Sequence, residues 1–287
     1  MSLVYLNAEY LPLDQAKISV LDRGFLFADG VYEVIPAYGG NLLRMAEHMR
    51  RLQNSLDAIR LQNPLKESQW NEIIQKLLSE NPNEGEGEDQ YVYLQVTRGV
   101  ADKRNHAFPE NVSPTVFIMV NELAPVNKEN LRGGVAAITL DDIRWKACNI
   151  KSISLLGNIL LRQQAHDNDA AEAILLNKGL VTEGAASNVF AVINNVLVTA
   201  PTGIHLLSGI TRDLIIELAD KNNMTCEERH FTEQELQDAS EIWLCSSTKE
   251  ILPVVSLNGK PVANGKSGPI WEKMIDIYQA YKAEWRK

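Results

Sequence analysis

Short strand-like runs and amphipathic helices alternate along this chain, and one aperiodic stretch interrupts them. APVNKENLRGG carries a proline, two asparagines and a glycine pair with no hydrophobic period. Such a stretch suits a linker better than a packed element. We therefore expect an N-terminal domain over residues 1–120, a linker over 121–133 and a larger domain over 134–287. Strands mixed with helices on both sides point to a mixed α/β fold, α/β or α+β, in two domains. With 287 residues, 45% of them hydrophobic, the chain can bury the core that this needs.

VYLN and KISVLD alternate as the arms of a hairpin would, and VYEVIPAYGG reads as a strand ending in a Gly-Gly turn. Leu43, Met45, Met49, Leu52, Leu56 and Ile59 recur at helical spacing, and a second helix is expected around SQWNEIIQKLLSE. NPNEGEGED reads as a solvated acidic loop. YVYLQVTRG and TVFIMVNEL read as paired strands joined by the loop ADKRNHAFPENVSP. Later come strand VAAITL, strand-like NIKSIS, helix LLGNILLRQQAHDND and strand AEAILLN. A hairpin over LVTEGAASNVFAVINNVLVTA, helix TRDLIIELADKN, helix EQELQDAS, strand EIWLCSS, a PVVSLNGKPV hairpin and a final helix complete the chain.

Charge and cysteine content narrow the function. With 28 basic and 37 acidic side chains the net charge is −9, which disfavours phosphate backbones and anionic lipid as partners. No apolar run approaches the roughly 20 residues of a membrane helix. The N-terminus lacks the basic patch and apolar run of a signal peptide. Cys148, Cys226 and Cys245 are odd in number and lack C-x-x-C spacing. No metal site or disulfide framework is expected, and a cytoplasmic setting fits.

Four features could carry chemistry. Lys151, in apolar NIKSIS, would lose hydration there, and a neutral amine can attack an aldehyde. Glu183, at a strand end in LVTEGAASNVF, could supply a carboxylate to a ring nitrogen. Ser208, Gly209, Ile210 and Thr211 precede an amphipathic helix whose first N–H groups suit a phosphate. Arg51 in EHMRRL and the hydroxyls of Ser246, Ser247 and Thr248 could join it. Arg104 and His106, two apart in a loop, could grip a carboxylate. Each has an ordinary alternative: a snorkelling lysine, a solvated turn glutamate, a plain N-cap, a solvated helix face and a solvated basic loop.

Their order along the chain is what distinguishes them. DRGFLFADGVYEV, EHMRRL, NIKSISLL, LVTEGAASNVF, GITRD and SSTKEILPV together resemble the class IV aminotransferases of pyridoxal phosphate fold type IV. The resemblance covers nearly the whole chain. It implies a small N-terminal α/β domain and a larger domain with a barrel-like sheet. It implies pyridoxal 5'-phosphate bound as a Schiff base to Lys151, with Glu183 beside the pyridine nitrogen and Leu207 against the ring. Arg51, Ile210, Thr211 and Ser247 would hold the phosphate, and Arg144 would support the site. Ala185 and Ala186 depart from the hydroxyl residues often found after T-E-G.

The first domain is similar to that of the D-amino acid aminotransferases, on the R-x-H pair after Q-V-T-R-G and the tyrosine of D-G-V-Y-E. The likeness implies that Tyr32, Arg104 and His106 trap the substrate carboxylate. The loop pair would serve the partner subunit of a homodimer. The expected reaction moves an amino group from a D-amino acid such as D-alanine to 2-oxoglutarate or pyruvate. A branched-chain L-aminotransferase and an aminodeoxychorismate lyase, which forms 4-aminobenzoate and pyruvate, remain open. A non-catalytic binding protein would not need every cofactor position.

Overall fold

The computed structural model describes residues 2–82, 89–124 and 131–286. Most of the expected acidic loop and the centre of the expected linker lie outside these residues. The chain divides into two compact units. The first comprises Met1–Pro125, Ile150–Ser154 and Trp285–Lys287, and the second Val126–Asn149 and Leu155–Glu284.

The first unit is built on a six-stranded antiparallel sheet. Its strands are β1 (Leu3–Leu6), β2 (Glu9–Pro12), β3 (Gly30–Tyr38), β4 (Asn41–Leu42), β5 (Gln90–Thr97) and β6 (Thr115–Glu122), in the order β2-β1-β6-β5-β3-β4. Helices α2 (Met45–Ala58) and α3 (Glu67–Glu80) pack on it, and the short α1 (Arg23–Phe27) precedes β3. Along β3 the residues Val31, Ile35 and Ala37 join Leu52 and Leu56 of α2 and Trp70, Ile74 and Leu77 of α3 in one core. Gly39 and Gly40, both at positive φ, form the two-residue turn into β4.

The first hairpin differs from expectation. Asn7 and Ala8 take φ of 49° and 74°, so the chain turns early and β1 pairs with Glu9–Pro12. That ladder leaves no place for KISVLD, which is not a strand and holds Ile18 and Val20 exposed.

NIKSIS forms no regular strand either. It makes one bridge, Val31 to Ser152, with Tyr32 N donating to Lys151 O and Ile153 N donating to Gly30 O, both at 3.0 Å. β4 covers only the end of β3 at Ala37 and Tyr38, so the other end of that edge has backbone groups left over by the sheet. Lys151 O and Ile153 N take two of them, Tyr32 N and Gly30 O. Lys151 therefore belongs to the first unit, although it lies within 134–287 in sequence.

The second unit carries a nine-stranded mixed sheet. Its strands are β7 (Val135–Asp141), β8 (Glu172–Asn177), β9 (Leu180–Gly184), β10 (Asn188–Ile193), β11 (Val196–Thr199), β12 (Cys226–Glu228), β13 (Glu241–Ser246), β14 (Glu250–Leu257) and β15 (Lys260–Pro261). The order is β12-β11-β10-β13-β14-β7-β8-β9, with β15 on β14. β9 ends this order, and β10 stands third from its other end. Only residues 185–187 join them, so the sheet has to curl into a half-barrel. The single hairpin read over 180–200 is thus two: β8 with β9 and β10 with β11.

Four described helices flank this sheet: α4 (Leu156–Asp167), α5 (Ile210–Lys221), α6 (Glu233–Gln237) and α7 (Pro269–Glu284). Both faces of β10 and β13 are covered. Val189, Ala191, Ile242 and Leu244 join one core, while Phe190, Val192, Trp243 and Cys245 pack with α5 and α7 in another. Burial on both faces explains why NVFAVI and EIWLC are nearly unbroken apolar runs.

α7 is also tied to the sheet by charge. Lys282 Nζ lies 2.6 Å from Glu250 Oε1, and both side chains are buried. Removing one partner of such a pair strands the other. Lys282→Ala should therefore cost about 3–5 kcal/mol in urea unfolding, and Lys282→Ala combined with Glu250→Gln markedly less. Equal losses in both variants would show that the pair does not anchor the helix.

Candidate functional site

The expected site residues fall into two groups, one in each unit. In the first unit β3 sorts them by strand alternation. Tyr32 faces away from the helices. Its ring stacks on Tyr93 with centroids 5.8 Å apart, and Lys151 Nζ stands 4.1 Å from its centroid. Lys151 N also donates to Ser55 Oγ of α2 at 3.2 Å. The fold thus brings Tyr32 and Lys151 together from distant parts of the sequence.

Glu33, the next residue, faces α2 and is fully buried. Arg51 donates to both of its oxygens through Nε and Nη2, each at 2.7 Å, and His48 Nδ1 lies 2.8 Å from Oε2. Burial alone would raise this carboxyl, but Arg51 and then His48 outweigh it and hold Glu33 well below the usual carboxylate range. Burial shifts His48 the other way, favouring the neutral ring. Arg51 is thus not part of a solvated helix face. It is a buried guanidinium, oriented by a carboxylate on the neighbouring strand.

Sequence reading missed Glu33 and His48. The signal was there: Glu33 occupies a core-phase position between Val31 and Ile35, and His48 and Arg51 sit beside Met49 and Leu52 on the buried helix face. A polar group in the apolar phase needs a buried partner.

The loop pair lies on the same unit. Arg104 and His106 are exposed, and both rest on the Phe27 ring, the guanidinium carbon at 4.9 Å and the imidazole centroid at 5.2 Å from its centre.

In the second unit Glu183 is buried at the end of β9. Arg144 Nη1 donates to its Oε1 at 2.6 Å, and Leu207 N and Asn188 Nδ2 donate to Oε2 at 3.0 and 3.3 Å. Asp142 takes two further guanidinium bonds and fixes the arginine. Arg144 thus supports Glu183 directly. Asn188 also donates to Leu207 O at 2.9 Å. A Cβ on Gly209 would come within 1.9 Å of Asn188 Oδ1, so a larger residue would displace the amide that supports Glu183. Gly209 is the N-cap of α5 and provides no side-chain cap, leaving the first-turn N–H groups of Ile210 and Thr211 for another acceptor.

Ser247 sits in the hairpin between β13 and β14. Lys249, two residues on, reaches Glu172 Oε2 at 3.5 Å, and Ser187 Oγ donates to the same oxygen at 3.0 Å. Buried Glu172 thereby joins this hairpin to the turn after Glu183. Among the described residues no group of three His, Cys, Asp or Glu side chains could hold a metal ion.

Burial dominates at Glu183 and pushes its carboxyl up to about 7, while Arg144 and the Leu207 N–H pull it down. The folded chain then holds a proton that the unfolded chain, with a carboxyl near 4.5, releases. This contribution to stability is present below the unfolded value and is lost as pH rises through about 7. Urea midpoints of ligand-free protein across this window should fall with pH, and Glu183→Gln should flatten the slope. An unchanged slope would remove Glu183 as its source.

Residues 30–257 match the family model for amino-transferase class IV. A D-alanine aminotransferase from Listeria monocytogenes serotype 1/2a (strain 10403S) is 41% identical over 276 residues, covering 96% of this chain and 94% of the relative. One from Staphylococcus aureus (strain MSSA476) is 36% identical over 281 residues, covering 98% of each. Among solved structures, a T.th. branched-chain amino acid aminotransferase with pyridoxamine 5'-phosphate superposes with a TM-score of 0.92 at 25% identity, covering 100% of this chain and 95% of the other. The chain belongs to the class IV aminotransferases.

Proposed function

We propose that this enzyme uses pyridoxal 5'-phosphate to transfer the amino group of a D-amino acid, such as D-alanine, to 2-oxoglutarate or pyruvate. The observation that carries this reading is the exposed Arg104–His106 pair packed on one aromatic ring, in a chain 36–41% identical to D-alanine aminotransferases over nearly its full length. Branched-chain L-aminotransferases are the second reading, favoured by the close superposition but at 25% identity.

The donor types present in each unit suit the cofactor. Lys151 would attach it, and Glu183, a buried carboxyl near neutrality, would face its ring nitrogen. The uncapped helix start at Ile210 and Thr211, with Arg51 and Ser247, would take its phosphate, and Leu207 would lie against the ring. When bound, the cofactor accepts electrons from the substrate Cα. Lys151 Nζ would take the Cα proton and then deliver it to the cofactor instead of returning it to Cα, acting as base and then as acid. Arg144 keeps Glu183 oriented throughout.

Tyr32, Arg104 and His106 would grip the substrate carboxylate and so set which hydrogen of Cα faces Lys151. The loop pair would act in trans, in a homodimer. Exposed Leu156, Ile159 and Leu160 on α4 support such an assembly, since apolar side chains grouped at a surface favour a covered face. A cytoplasmic setting is part of the same reading, supported by the three free cysteines Cys148, Cys226 and Cys245. Among the described residues no helix is long and apolar enough to cross a membrane.

A panel of D- and L-amino acids with 2-oxoglutarate or pyruvate tests the reading. D-alanine should be consumed far faster than L-leucine. Preference for L-leucine would replace the reading with the branched-chain one, and 4-aminobenzoate from aminodeoxychorismate would replace both.

A further inference from the structure

Arg23 follows the Asp22 cap of α1 and is 4% exposed, although it carries a full charge. Its guanidinium faces the loop that bears Arg104 and His106. Nη1 donates to Asn105 O at 2.5 Å and to Ala107 O at 3.3 Å, and Nη2 donates to His106 O at 3.2 Å. Three consecutive carbonyls of an exposed loop thus converge on one side chain. No sheet ladder supports them, because the loop runs between the end of β5 and the start of β6.

The guanidinium is itself held. Its Nε donates to Asp29 Oδ2 at 2.8 Å. Arg98 grips the same carboxylate through Nε and Nη2 at 2.8 and 3.0 Å, and donates to Ile59 O and Arg60 O. Burial would raise the Asp29 carboxyl, but the two arginines outweigh it and keep it ionised. Arg23 also lies over the Phe27 ring, 4.8 Å from its centre, the same ring on which Arg104 and His106 rest.

Carbonyl directions at 105–107 fix the peptide planes on both sides of His106 and pin the loop directly after Arg104, whose guanidinium rests on the same Phe27 ring as that of Arg23. We propose that Arg23 is a positioning residue: it sets the geometry of the Arg104–His106 pair and thereby the enzyme's discrimination for a substrate carboxylate. This rests on the reading of that pair as the carboxylate grip. A planar fork with five donors can serve three carbonyls and a carboxylate at once, whereas a lysine ammonium cannot.

Removing Arg23 leaves Asp29 with its two-point partner Arg98, so no buried charge is stranded and the fold should survive. In the holoenzyme, Arg23→Met should raise KM for D-alanine about tenfold, the loss of one or two charge-assisted bonds' worth of fixation, with kcat within about threefold. Arg23→Lys should recover part of this. Arg23→Met combined with Arg104→Ala should be no worse than Arg104→Ala alone, since two residues acting through one group are not additive. Independently of activity, trypsin should cut after Lys103 or Arg104 several times faster in Arg23→Met and no faster elsewhere. An unchanged KM and cleavage rate in Arg23→Met, with Arg104→Ala still impaired, would overturn the positioning role alone. An Arg104→Ala enzyme with unchanged KM would overturn the grip itself, and the role of Arg23 with it. Global loss of cofactor and uniform cleavage in both Arg23 variants would make Arg23 a folding residue and overturn the proposal.

Discussion

The open edge of β3 determines where Lys151 goes. One side of this strand is paired along its length by β5, and the other is covered by β4 only at Ala37 and Tyr38. The backbone groups left over at Gly30 and Tyr32 are taken by residues 150–153. That pairing holds Lys151 beside the Tyr32 ring and next to Ser55. The same strand, through its alternation, turns Glu33 to the opposite face, where Arg51 and His48 close around it. The position of the amine and the orientation of the expected phosphate arginine therefore depend on one strand.

In the second unit the equivalent constraint is the short connection between β9 and β10. It curls the sheet and puts Glu183 at a buried turn, where Arg144, Asn188 and Leu207 converge on its two oxygens. A carboxylate so placed is costly unless it is paired, and Arg144 offsets that cost only in part, which leaves the carboxyl near neutrality. Gly209 is required beside it for a steric reason, because Asn188 already fills the space a Cβ would occupy.

Periodicity revealed the elements that obey a single local rule. α2 and α3 follow their apolar spacing, and the Gly-Gly turn after β3 takes the torsions that glycine permits. KISVLD misled because alternation describes a possible strand and says nothing of whether a partner edge is free. Asn7 and Ala8 had already closed the hairpin. NIKSIS misled less: its strand character is real, but it is used on a short patch of β3. The ordered motifs pointed to Lys151 and Glu183, and family membership followed from the comparisons. The supporting pairs were illegible for a physical reason. Arg144 with Glu183, Arg23 with the carbonyls of 105–107, and Glu172 with Lys249 are joined across long stretches of chain, and only the fold brings them together. Glu33 was the exception, a charge in the apolar phase of a strand that required a buried cation.

Under the proposed function, Lys151 is the residue to which the cofactor attaches. Reducing the holoenzyme with borohydride and mapping the peptides tests it directly. A pyridoxyl adduct on the peptide carrying Lys151, absent from Lys151→Ala protein, is the predicted result. An adduct on Lys146, Lys249 or any other lysine, with Lys151 unmodified, would contradict it.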